Sequence, residues 1–103
     1  MTSPVPYESR VRPLIAAATP APWGINTLSG MYVVVEDADE EFVAGSVEPP
    51  DASLIVTTVN TAAASADLAE AVRAYKNSGP LRAQERFDAM LAALARLDAA
   101  GGA

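Results

Sequence analysis

The sequence predicts an α+β fold: an N-terminal helix, a central antiparallel β-hairpin or small sheet, and two to three C-terminal helices, in a single domain over residues 1–103 with flexible tails at 1–7 and 99–103. Three observations lead there. Met31-Tyr32-Val33-Val34-Val35-Glu36 is the β-branched and aromatic composition that suits a pleated strand, and a turn-forming stretch and a second such run follow it. From Leu81 to Leu97, Phe87, Met90, Leu91, Leu94 and Leu97 recur at helical spacing. Prolines and glycines divide the chain between these segments.

Residues 1–7 carry Pro4 and Pro6 and read as extended. A helical pattern follows from Glu8 to Ala18, with Pro13 read as marking a first helical turn, where its missing N–H is harmless. The helix must stop near Thr19, because Pro20 and Pro22 follow in a rigid connector, Thr19-Pro20-Ala21-Pro22-Trp23-Gly24. Ile25 to Leu28 either extends the next strand or forms a short one of its own, with Ser29-Gly30 as a bend. The strand Met31–Glu36 lacks polar alternation, so both of its faces are expected to be covered. Asp37-Ala38-Asp39-Glu40 suits a turn, and Glu41 to Val47 returns. Asp51 is a candidate N-cap for a helix from Ala52 with Leu54, Ile55, Val56 and Val59 on its apolar face. A third strand over Ser53–Val59 is the alternative, because Val56-Thr57-Thr58-Val59 is a poor helix former and short apolar runs discriminate weakly. Ala62 to Lys76 reads as a helix with Leu68, Val72 and Tyr75 on one face. Asn77-Ser78-Gly79 stops it, Pro80 opens the last helix, and that helix is expected to cover one face of the sheet.

Composition restricts function more sharply than it suggests one. The chain has no histidine and no cysteine, which removes the usual general base near neutral pH, thiolate nucleophiles, disulfides and the commonest zinc ligands. Its net charge is −6 with only seven Lys and Arg, so broad nucleic-acid binding and adhesion to an anionic membrane are not expected. No apolar run approaches the ~20 residues that span a bilayer, and the absence of a leader-like N-terminus points to a cytoplasmic protein. Half of the residues are hydrophobic, but with one Trp, two Phe, three Tyr and three Met the large side chains are scarce. An alanine-rich core gains little per position from the hydrophobic effect, so self-association into a homo-oligomer is the natural remedy.

Thr19-Pro20-Ala21-Pro22-Trp23 closely follows a T-P-G-P-W signature, and here it stands between an alanine-rich helix and a β-rich segment, with Asp51-Ala52-Ser53-Leu54-Ile55 opening the next helix. In this the chain resembles small accessory proteins of bacteriophages. It departs from them in Ala21, where they have glycine, and in Val56-Thr57-Thr58, where they have an alanine run. The resemblance covers residues 8–60 and implies a phage or prophage origin. It implies no activity, but by analogy a stoichiometric role on a host protein or a host defence system.

Three groups of residues are weighed as sites. Trp23 is either an aromatic platform for a ligand or, the favoured reading, a core plug. Glu36, Asp37, Asp39, Glu40 and Glu41 form an acidic run that lacks the oxygen spacing and glycine bend of a calcium loop, so a solvated hairpin tip is preferred. Arg73, Lys76, Arg82 and Arg86 flank the turn between the last two helices. With Tyr75 they constitute a candidate anion pocket for a small nucleotide, against the plainer role of offsetting helix C-terminal charge. They are also candidates to pair with the acidic tip of another copy. No cofactor and no metal site are expected. Non-enzymatic binding is therefore the leading expectation. An oligomer that sequesters an anionic nucleotide is second, and a carboxylate-based, metal-dependent hydrolase third.

Overall fold

In a computed structural model, which describes residues 5–29 and 32–101, the predicted architecture is present: a helix, a three-stranded antiparallel sheet, then two helices. The elements are α1 (Tyr7–Ala17), β1 (Gly24–Ser29), β2 (Tyr32–Glu36), β3 (Phe42–Val47), α2 (Pro49–Lys76) and α3 (Ala83–Gly101). They fall into two compact units, one of Ala18–Asn60 and the other of the segments up to Ala17 and from Thr61 onward, with α2 belonging to both.

In the Ala18–Asn60 unit the strands lie in the order β1-β2-β3. The separate strand considered for Ile25–Leu28 exists as β1, paired to β2 from Gly24↔Glu36 to Thr27↔Val33. The three central valines of β2 are 6%, 8% and 0% exposed, so both faces of the strand are indeed covered. One face is built from Val33, Val35 and Ala52, with Trp23, Val43, Ala44, Val47 and Val56 packed against them. The helical members of this core, Ala52 and Val56, come from the first turns of α2; the C-terminal helix contributes none of them. On the other face the Phe42 ring lies so close over Gly45 that a Cβ there would come within 2.9 Å of it, and Asn26 donates a 3.1 Å bond to Glu36.

The hairpin turn is organised by Asp37. Its Oδ1 accepts the N–H groups of Asp39 at 2.9 Å and Glu41 at 3.0 Å, and its carbonyl accepts Glu40 N–H at 3.0 Å. This wraps a type I turn whose last residue, Glu40, takes a left-handed conformation at φ 63°, the position where three-residue hairpin loops normally place glycine.

Several boundaries move, each for a local reason. In α1, Pro13 is the seventh of eleven residues and not part of a first turn; the helix starts earlier because the Pro6 carbonyl accepts the N–H groups of Ser9 and Arg10. The alternative strand over Ser53–Val59 is overturned, and so is the separate helix from Ala62: α2 is one helix of 28 residues. It opens two residues before Asp51, since the Glu48 carbonyl accepts Ala52 N–H at 3.0 Å and Pro49 and Pro50 occupy positions that need no donor. Pro80 does not open α3. Residues 80–82 form a turn, and the Arg82 carbonyl accepts the first helical bond, from Arg86 N–H at 2.9 Å. At the two ends, α1 starts at Tyr7 and α3 continues to Gly101, both inside segments expected as tails; residues 1–4 and 102–103, like Gly30 and Met31 of the expected bend and strand, lie outside the described residues.

Candidate functional site

In the helical unit, ion pairs join α1 to α2. The one buried residue of α1 is Glu8. Its carboxylate accepts from Arg73 Nε at 2.6 Å and Nη2 at 3.4 Å, while Arg12 reaches Asp67 at 3.0 Å and Glu70 at 2.6 Å. The Arg73 hydrogen bond is the main reason that the Glu8 carboxyl sits below its ordinary value, and the same contact raises Arg73. Arg12 is raised by its bonds to Asp67 and then Glu70. Both pairs remain partly wet, so they orient α1 on α2 and contribute modestly to stability. Arg73 and Lys76 also occupy the last turn of α2, where cations suit the helix dipole.

Beside these pairs are two open grooves. One, of 500 Å³, is lined by Glu8, Ser9, Arg12, Pro13 and Glu70. Ser9 has no free base there, because both Glu8 oxygens are on Arg73. The other, of 390 Å³, runs between α2 and α3 over a floor of Ala71, Ala74 and Ala89, with Asp67, Glu70, Arg86 and Arg96 on its walls. The two carboxylates are already engaged by Arg12. Arg86 and Arg96 have no ion-pair partner among the described residues.

The residues expected to form an anion pocket are differently engaged. Arg73 is committed to Glu8. Tyr75 faces Phe87, ring centroids 5.9 Å apart and tilted by 57°. Lys76 is exposed at the end of α2 and Arg82 in the turn before α3. Arg86 lines the α2–α3 groove, and its companion there is Arg96, which the sequence does not single out. Its position ten residues further along α3 carried no signal of its own. Trp23 lies in the other unit, where the indole N–H donates to the Thr19 carbonyl at 3.1 Å and the ring packs on the valine core. Asn60 clamps the Trp23 backbone from α2, accepting its N–H at 2.7 Å and donating to its carbonyl at 3.0 Å. Ala38 N–H bonds the Pro20 carbonyl at 2.8 Å, and the Ala21-Pro22 bond is cis. The T-P-A-P-W segment is therefore a fitted connector whose polar atoms serve its own unit.

Among the described residues no three acidic groups are placed to hold a metal ion. No helix there is long and apolar enough to cross a membrane.

Part of the surface of α2 and α3 is apolar. Val72, Tyr75, Phe87, Leu91 and Leu94 of α2 and α3 are each 38–48% exposed, whereas the hydrophobic residues fully buried in this unit are Ala66 and Ala93. The stripe predicted for the last helix exists, but it is left half wet. No family model, no curated protein and no solved structure matches the chain.

Proposed function

We propose that this chain acts without catalysis, as a stoichiometric binding protein that assembles with copies of itself through the apolar strip of α2 and α3. The carrying observation is that strip: five large side chains near half exposure above a core of alanines. Completing the burial of each is worth about 1 kcal/mol, which a second copy supplies without a new sequence. Two helices joined by a short turn are half of a four-helix bundle, and a twofold axis completes it with an identical hairpin. Charges of both signs flank the strip, Glu85 and Asp88 beside Arg86 and Arg96, so a second copy meets no uniform repulsion.

The test is molar mass by light scattering over a wide concentration range. The expected mass is at least twice the 10.6 kDa of one chain, and Leu91→Glu lowers it at least twofold with helical circular dichroism retained. A mass of one chain at every concentration refutes the proposal, as does multiple turnover of any substrate, including metal-dependent turnover abolished by EDTA. The biological setting, a phage protein working in a bacterial cytoplasm on a host factor or defence system, is supported by the T-P-A-P-W resemblance alone.

A second reading is favoured by Arg86 and Arg96, which share a groove and lack ion-pair partners among the described residues. In it the assembled protein sequesters a small anion such as a nucleotide phosphate. Calorimetric titration with a panel of linear and cyclic nucleotides tests it, and no heat at high protein concentration removes it.

A further inference from the structure

The sheet has two edges, and they are built differently. On β3 the pairing with β2 slips twice, between Val47 and Ala44 and again between Ala44 and Phe42. Ser46 is left-handed at φ 55°, and Glu41 and Glu48 flank the strand. Bulges and charge are the devices by which an edge is made unfit for further pairing. On β1 the four residues Gly24–Thr27 pair with β2 without interruption, and the register shifts only past them, between Thr27 and Ser29. They contain no charge and no proline, and all four are exposed. Asn60 occupies the backbone N–H and C=O of Trp23, so the edge is closed at its start and opens at Gly24. Alternate residues of such an edge strand present their N–H and C=O groups outward.

We propose that β1 pairs antiparallel with β1 of a second copy, joining two three-stranded sheets into one of six strands across a twofold axis. The proposal deepens the self-assembly reading and rests on it, by naming a contact separate from the helical strip. A second copy is the occupant the edge fits. Ile25 and Thr27 stand on the face that α2 covers, in register with Val35 and Val33, and Ile25 is 43% exposed. A twin strand sets another Ile25 and Thr27 beside them and continues that apolar face. On the opposite face Asn26 and its bond to Glu36 continue as a polar face. Because β1 is neutral, twin strands bring no like charges into direct opposition. Edge-to-edge pairing through β3 would bring acid-flanked strands together.

The absence of cysteine permits a clean test. Residues directly opposed in an antiparallel pair have Cα atoms about 4.5–5.5 Å apart, within the range that a disulfide spans. Single cysteines at Gly24, Ile25, Asn26 and Thr27 are oxidised alone and in mixed pairs, with Leu91→Cys as a report on the helical strip. A disulfide dimer forming rapidly at one β1 position, or at one mixed pair of neighbours, and falling off on either side, supports the β1 twofold. Asn26→Lys, an exposed change that places like charges near the axis, is expected to lower the molar mass by a factor of two while circular dichroism is unchanged. An oligomer by light scattering that cross-links at Leu91 but at no β1 position overturns this proposal and leaves the self-assembly reading standing. A single-chain mass at all concentrations, with no cross-link anywhere, overturns both.

Discussion

Asp37 stands in the middle of an acidic run, yet it is 6% exposed and its Oδ1 holds two backbone N–H groups of the turn. Its role is that of an acceptor, for which charge is not needed. Asp37→Ala leaves two donors of the turn without this partner and is expected to cost about 1–3 kcal/mol. Asp37→Asn, which keeps the oxygen, should lose less than half as much. Urea denaturation of the two variants measures this, and equal losses would show that the carboxylate's charge, not its geometry, fixes the turn. Sequence reading placed this turn correctly but saw five equivalent acids, because hydrogen bonds to residues two and four positions on leave no mark in composition. Asn60 was similarly illegible. Its partner Trp23 lies 37 residues away, beyond the reach of any local pattern.

Among the elements, β2 and its turn were legible because three consecutive valines and an Asp-rich stretch satisfy local preferences that the packing then reinforces. α2 was not. Residues Val56-Thr57-Thr58-Val59 each disfavour helix by only a few tenths of a kcal/mol relative to better formers, and the burial of Ala52 and Val56 against Val33 and Val35 overrides that sum. For α1 the decisive contacts are ion pairs whose partners lie 55 to 65 residues away. No local pattern can announce these. They carry a pH signature. The folded-state pKa of Glu8 lies below its ordinary 4.5, so the stabilisation from its pair with Arg73 is fully present above that value and is lost as pH falls through the lowered one. The thermal midpoints of the native chain and of Glu8→Gln are therefore expected to differ near neutrality and to converge in acid. A gap that stays constant down the acid limb would show that the ionised carboxylate contributes nothing.

Over the whole molecule the charge is segregated. Ala18–Asn60 carries seven acidic residues and no basic one, while the remaining segments carry six acidic and all seven basic residues. The first unit is self-repelling; the second is tied together by attraction between α1 and α2. Salt screens both interactions, with a Debye length falling from about 30 Å at 0.01 M to about 3 Å at 1 M. The two units should accordingly respond with opposite sign. Raising sodium chloride is expected to slow amide hydrogen exchange in β2 and β3, where screening relieves repulsion among the acids, and to speed it in α1, where screening weakens the Arg12 and Arg73 pairs. Exchange followed by mass spectrometry at low and high salt resolves the segments in one experiment, and sodium perchlorate in place of chloride separates screening from specific anion binding at Arg86 and Arg96. A response of the same sign throughout would mean that the sheet unit's seven acids lie too far apart to repel.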